Sequence, residues 1–167
     1  MGHIAFSRLI DAPKHVVWDV ITNHDIYAEA APNLSSIEVV DGAKDTMVRR
    51  CVDTDGNAWT EACTTWDEGQ RFAVEVDVVN SDFHRRLFNR FQGEWGLNET
   101  ADGSEVVIRF DYETKYGPFG HLISAYLAYK APELVEAIFD RWEDEINTRA
   151  EFSEQGETRT QNTPTEG

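Results

Sequence analysis

The stretch FQGEWGLNETADGSEVVIRFDYET, residues 91–114, decides the fold, because apolar and polar side chains alternate through it on both sides of one turn. Alternation with period two is typical of strands that have one covered face and one wet face. Asp102-Gly103 separates the two alternating runs and is a strong hairpin signal. The stretch predicts two long antiparallel strands, over 86–100 and 104–116, with a shared apolar face.

The same punctuation continues towards the N-terminus. Further alternating runs at 35–41, 46–54, 57–67 and 70–79 are separated by Asp41-Gly42, Asp55-Gly56 and Glu68-Gly69. Residues 3–11 predict one more strand, and two short helices are predicted after it, over 15–22 and about 25–31, the first introduced by Pro13. The strands therefore predict an antiparallel meander.

A long helix is predicted from residue 119 to about 152, with a kink at Pro132. We expect Leu122, Ile123, Tyr126 and Leu127 to form one apolar stripe of this helix. The predicted class is α+β: a curved antiparallel sheet of about seven strands wraps a long C-terminal helix, with two short helices between strands 1 and 2. The domain is predicted over 1–152, and residues 153–167 are predicted to be a disordered polar tail.

The hairpin turns predict which side chains share the covered face. A two-residue turn at Asp55-Gly56 would place Arg50 directly opposite Glu61 on that face, and Cys51 and Cys63 on opposite faces, so that they would not form a disulfide. Two charges on a covered face are expensive unless they are paired or reach water. Two interpretations stay open: a cross-strand ion pair near the sheet edge, or an anchor for the polar group of a ligand.

Aromatic and apolar residues of the covered face are either core or ligand contacts, and this stays open as well. The candidate ligand-binding residues are Arg50, Trp59, Glu61, Val76, Phe91, Trp95, Phe110, Tyr112 and Tyr126. His15, His24, His84 and His121 are expected to be exposed rather than catalytic. Because no known catalytic, nucleotide or metal-binding motif is present, we predict no metal site and no cofactor, and assign no catalytic residue.

Charge restricts the possible partners. The chain has 31 acidic and 15 basic residues, a net charge of −16, which disfavours nucleic acids and anionic membranes. The acidic residues face either a basic partner or, as their even spread favours, a salt-rich cytoplasm. No apolar run of membrane-spanning length and no signal-peptide pattern is present, so we expect a cytoplasmic protein without membrane insertion.

Three segments resemble a known superfamily: APKHVVW at 12–18, GEW at 93–95, and FDY through YGPFG at 110–120. Together with the order of elements over about 3–150, they are similar to the START-like helix-grip proteins, also called SRPBCC proteins, and within these to the polyketide cyclase/dehydrase and lipid-transport group. The resemblance implies a deep cavity between the sheet and the C-terminal helix, with a mouth at the second short helix and the hairpin loops.

Two functions are compatible with this resemblance. The first is a carrier or binding protein for a small apolar or amphipathic molecule such as a polyketide, an isoprenoid quinone or a lipid. The second is a cyclase/dehydrase-type enzyme, in which Glu61 or Tyr112 transfers a proton and Arg50 stabilises an enolate. A third possibility is a cavity too small for any ligand, which would leave a module that binds a protein partner not identifiable from the sequence.

Overall fold

The structure is a computed structural model that describes residues 1–160, and their side chains as far as 153. A seven-stranded antiparallel sheet is its central element. Strands β2 to β7 follow one another as neighbours, and β1 pairs with β7 at the far edge. The strands are β1 (Gly2–Ile10), β2 (Leu34–Asp41), β3 (Val48–Asp53), β4 (Ala58–Asp67), β5 (Arg71–Val76), β6 (Phe88–Thr100) and β7 (Gly103–Thr114).

Four α-helices accompany the sheet: α1 (Lys14–Ile21), α2 (His24–Ala30), α3 (His84–Leu87) and α4 (Gly120–Thr160). Short 3₁₀ turns lie at Lys44–Thr46 and Gly117–Phe119. The predicted class is confirmed, and α3 is an addition to it. Asn23 caps the N-terminus of α2, and its side chain accepts the N–H groups of Asp25 and Ile26.

The C-terminal helix is longer than predicted. Helix α4 continues through Pro132 and ends at Thr160, eight residues past the predicted domain boundary at 152. The remainder of the predicted tail, residues 161–167, lies outside the described residues.

The main core lies where α1, α2 and the middle of α4 pack on the sheet. Trp95 stacks on Phe72 with ring centres 4.9 Å apart, and Tyr27 meets Trp95 edge-on at 5.4 Å. Gly93 makes room for Trp95, since a Cβ there would lie 2.8 Å from the indole ring. We call this core the first cluster. Its most deeply buried helical residues are Val17, Val20, Ile21, Val135, Ile138, Phe139, Trp142 and Ile146.

The predicted register of β3 against β4 is wrong by one residue. The Asp53 carboxylate accepts the N–H groups of Asp55 and Asn57, and Gly56 has a φ of 85°. The turn therefore contains three residues rather than two. As a result Arg49, not Arg50, lies opposite Glu61, while Arg50 lies opposite Thr60 and is exposed.

This shift also changes the prediction for the cysteines. Cys51 is buried and Cys63 half-buried, and both are on the inner face rather than on opposite faces. Both are free thiols, as predicted. Burial raises the pKa of the Cys51 thiol far above its ordinary value.

Elsewhere the inner face is confirmed. Glu61 pairs with Val76 and Cys63 with Val74 as predicted, and a bulge then shifts the ladder so that Trp66 lies opposite Phe72. The β6–β7 ladder differs from the predicted one by two residues, with Trp95 opposite Ile108. A shift of two keeps every side chain on its face, because the side-chain period of a strand is two.

Candidate functional site

A second apolar cluster lies between the sheet and the first turns of α4. Val76, Val78, Phe88 and Tyr112 are buried in it, and the inward-pointing side chains around them are only half-buried: Ile4, Trp59, Leu87, Phe91, Ile123 and Leu127. These side chains keep accessible surface although they belong to the covered side, so this part of the interior is less completely covered than the first cluster. We call this region the interior cleft. It contrasts with the filled first cluster.

An ion pair lies where the two clusters meet. The Nε and Nη2 atoms of Arg49 are each 2.7 Å from Oε2 of Glu61, and the indole Nε1 of Trp59 donates to Oε1 at 2.8 Å. Arg49 is 2 % exposed and Glu61 9 % exposed. Burial would raise the pKa of Glu61, but the Arg49 charge and these hydrogen bonds outweigh it, so the pKa lies below its ordinary value. Glu61 is therefore an anion at neutral pH.

The Arg49 guanidinium connects this pair to the first cluster. It lies 5.3 Å from the centre of the Trp95 ring and 5.8 Å from that of Tyr27. Such stacking on aromatic rings suits the flat, weakly hydrated guanidinium better than the lysine ammonium. Trp95, predicted as a ligand contact, is thus a packing partner of Arg49 within the core.

His24 lies on the other side of Arg49. It was predicted to be exposed, and this is wrong, because it is half-buried. Nδ1 of His24 is 3.3 Å from Nη1 of Arg49, and Nε2 is 3.1 Å from the Met47 sulfur. Arginine can only donate, so Nδ1 is the acceptor and the ring proton is on Nε2. Burial and then the Arg49 charge lower the pKa of His24 to about 4, which keeps the imidazole neutral at pH 7.

His84 was predicted to be a solvated loop residue, and this is wrong. It is 7 % exposed, and its ring lies 5.0 Å from Trp59 and 5.7 Å from Phe91, at the wall of the interior cleft. Nδ1 is 2.8 Å from Oγ of Ser81, and that oxygen accepts the His84 backbone N–H at 3.2 Å. Burial lowers the pKa of His84, and the nearby Glu61 carboxylate offsets only part of this effect. This imidazole is neutral at pH 7 as well.

The structure brings together most of the predicted site residues, but not all. Of these, the following lie in or beside the interior cleft: Trp59, Glu61, Val76, Phe91, Phe110 and Tyr112. Arg50 is on the outer face, and Tyr126 is 63 % exposed and does not belong to the second cluster. The prediction omitted Arg49, His24 and His84, of which only His84 had a local signal: Ser81 three residues before it, at a helix-capping distance.

Two surface depressions lie away from the interior cleft. One, of about 310 Å³, is on the outer face of the sheet and includes Arg71, Glu94 and Arg109. The other lies between the start of α1 and the β6–β7 turn. Their polar, open walls do not suit an apolar ligand.

Comparison with known proteins agrees with this architecture. A sequence profile described as "Polyketide cyclase / dehydrase and lipid transport" matches residues 1–151. The chain therefore belongs to this family, which is part of the START-like helix-grip superfamily. No curated protein matches the sequence.

Solved structures show the same fold at low identity. TTHA0849 from Thermus thermophilus is 22 % identical with a TM-score of 0.69, over 89 % of this chain and 99 % of that one. The Zhui aromatase/cyclase from Streptomyces sp. R1128 is 16 % identical with a TM-score of 0.72, over 89 % and 95 %. Ara h 8.0201 is 15 % identical with a TM-score of 0.67, over 88 % and 98 %. At these identities the likeness extends to the fold alone.

Two features are absent from the described residues: a membrane-spanning helix and a cluster of metal ligands. No described helix is long and apolar enough to cross a membrane. No group of three or more His, Cys, Asp or Glu side chains converges there to hold a metal ion.

Replacing Arg49 by Met should destabilise the fold by about 3–5 kcal/mol, because Glu61 would remain buried without its partner. The matched control is Arg50→Met, one residue away on the exposed face, which should change stability by no more than about 0.5 kcal/mol. Urea unfolding measures both. Adding Glu61→Met to Arg49→Met should recover part of the loss, since the uncompensated charge is removed. Equal losses in the two arginine variants would contradict the register.

The free energy of unfolding should fall as the pH drops from about 6.5 towards about 4, in part because folding lowers the pKa of His24. The unfolded chain takes up a proton below the ordinary histidine pKa, whereas the folded chain takes it up only near pH 4, so acid favours unfolding throughout this window. In His24→Gln the loss between pH 7 and pH 4.5 should be about 1–2 kcal/mol smaller, a value reduced for partial solvent access. Urea unfolding at both pH values, with exposed His15→Gln as control, tests this. Identical pH dependence in wild type and His24→Gln would contradict it.

Proposed function

We propose that the protein binds a small amphipathic molecule of the polyketide, isoprenoid quinone or lipid type in the interior cleft. One observation carries the proposal: half-buried aromatic and aliphatic side chains line the cleft, and a buried polar array lies at its end. This array consists of Glu61, held by Arg49 and Trp59, and the neutral His84. A mostly apolar site with a few placed polar groups is the usual composition of a small-molecule site. The family to which the chain belongs supports the same function.

The polar array favours a neutral ligand group. The Glu61 charge is balanced by Arg49, so the array has no excess positive charge for a carboxylate or phosphate. Oε2 of Glu61 is saturated by the two Arg49 contacts, but Oε1 accepts only the Trp59 indole and has a further lone pair for a ligand hydroxyl. His84 adds an imidazole at the cleft wall. A hydroxyl or carbonyl group on an otherwise apolar molecule fits these partners best.

The apolar wall would supply most of the affinity. Burying about 200 Å² of ligand surface yields about 5 kcal/mol at about 25 cal/mol per Å². The lost freedom of the ligand offsets a large part of this gain. Because about 5 kcal/mol corresponds to a Kd of about 0.2 mM, we expect sub-millimolar to millimolar rather than nanomolar binding.

Ile123→Trp should weaken the binding of the neutral fluorescent probe N-phenyl-1-naphthylamine at least about fivefold, because a larger side chain would fill the interior cleft. Its neighbour provides the matched control: Leu122 is 72 % exposed and points away from the interior cleft, so Leu122→Trp should leave probe binding unchanged. Fluorescence titration measures the affinity, and near-ultraviolet circular dichroism checks that both variants are folded. Equal affinities in the two variants would refute binding in the cleft. Native mass spectrometry of the purified protein would identify a natural ligand.

A cyclase/dehydrase-type activity is the second candidate, favoured by the neutral imidazole of His84 at the cleft wall. A neutral imidazole can remove a proton from the carbon between two carbonyls, and the resulting enolate attacks a second carbonyl to close a ring. The imidazolium then returns the proton to the new alkoxide. The sequence-based assignment of Glu61 as the base is weakened, because both its oxygens are engaged and its pKa is lowered.

For this second candidate, His84→Gln should reduce turnover of a poly-β-keto thioester by about 100-fold or more, as expected for loss of a general base. Probe binding is measured in parallel, so that a loss of turnover can be separated from a loss of the cleft. Product formation is followed by liquid chromatography with mass spectrometry. Wild-type protein that converts none of the substrate would end the enzyme hypothesis and leave the binding proposal intact.

A further inference from the structure

The first turns of α4, with the residue before them, carry large apolar side chains on two adjacent sides of the helix, about 100° apart. Ile123 and Leu127 face the interior cleft. On the outer side, Phe119, Leu122, Tyr126 and Tyr129 follow one another at intervals of three and four residues and are between 63 and 75 % exposed. An apolar side of a helix normally packs on the core of its protein. Here one side is open, so a ridge of large apolar side chains projects from the molecule.

The charge around this ridge differs from that of the rest of the chain. Segments 83–93 and 114–132 contain five of the 15 basic residues and none of the 31 acidic ones. The two segments are adjacent, because Phe88 pairs with Thr114 and the Lys115 N–H donates to the Leu87 carbonyl at 3.0 Å. We call them together the basic end of the molecule.

Part of this positive charge is already paired. Arg85 binds Asp82 and Arg90 binds Glu75, while Glu113 lies opposite Arg90 in the β6–β7 ladder; these three acids belong to neither segment. The other three basic residues of these segments, Arg86, Lys115 and Lys130, are exposed. The remainder of the chain carries ten basic residues against 31 acidic ones. A local excess of positive charge thus coincides with the apolar ridge in an otherwise strongly acidic protein.

We propose that the basic end docks on the surface of an anionic lipid bilayer. The aromatic and leucine side chains of the ridge would lie among the headgroups and upper acyl chains, where tyrosine and phenylalanine are favoured. The exposed lysines and arginine would contact anionic headgroups, while the acidic remainder is repelled and turned towards water. The net charge of −16 alone disfavours binding to an anionic membrane. In the structure, however, the basic end is separate from the acidic remainder of the chain.

A lipid surface suits this ridge better than a protein partner. The side chains project from one convex helix and need a deformable apolar layer, and the proposed ligand of the cleft is itself soluble in a bilayer. The adjacent side of the same turns lines the interior cleft, so docking would bring the cleft next to the membrane. The idea that docking serves to bring the cleft to the membrane rests on the proposed function. Docking itself is tested without any ligand.

Sedimentation with lipid vesicles tests the proposal. Wild-type protein should bind vesicles of phosphatidylcholine with about 30 % phosphatidylglycerol, bind neutral phosphatidylcholine vesicles more weakly, and lose affinity for the anionic vesicles as salt rises. Leu122→Glu with Tyr126→Glu should lower the partition coefficient for anionic vesicles at least about tenfold. Both residues are exposed, so the fold and probe binding in solution should be unchanged.

Phe152→Glu is the matched control, since Phe152 is 71 % exposed on the same helix but lies far from the basic end in the sequence. It should bind vesicles as the wild type does. Failure of the wild type to bind either kind of vesicle would overturn the proposal and favour an acidic protein as the partner. Retained vesicle binding by the Leu122/Tyr126 double variant would also overturn it. Neither result would bear on probe binding in the cleft.

Discussion

The buried ion pair of Arg49 and Glu61 is the constraint on which the interior depends. Arg49 packs on aromatic rings of the first cluster, and Glu61 holds the Trp59 indole of the second. The pair therefore joins a sealed core to an open cleft. The pair forms only in the observed register of β3 against β4, because a shift by one residue would move Arg49 to the wet face and place Arg50 opposite Glu61 instead. Stability and site geometry thus depend on the same two side chains.

Much of the fold could be predicted because alternation and turn residues gave consistent signals. In β6 and β7 the tryptophan and phenylalanine side chains alternate with charged ones, so their faces were correct even with a register error of two residues. In β3 the signal is ambiguous, since Arg49 and Arg50 are both charged and polarity cannot say which one is inside. The decision came from the Asp53 side chain, which bonds to the turn and lengthens it by one residue.

The candidate site was harder to predict, for two physical reasons. Adjacent residues of α4 are equally apolar, as in Leu122-Ile123 and Tyr126-Leu127, so periodicity could not separate the inner side from the outer one. This is why Tyr126 was assigned to the cleft. His84 was missed because a single helical turn, too short for any periodic pattern, carries it over the sheet. Its burial arises from contacts with Trp59 on β4 and Phe91 on β6, which lie outside its own helical turn.

The unequal burial of α4 has a consequence for how the protein opens. The turns from Val135 to Ile146 are anchored in the sealed core, while the turns around Ile123 and Leu127 rest on side chains that are only half-buried. Local unfolding costs least where few apolar contacts must be broken. The first turns can therefore detach and return as a small cooperative unit while the rest of the helix stays in place. Access to the interior would then require only a sub-global fluctuation, at a fraction of the free energy of complete unfolding.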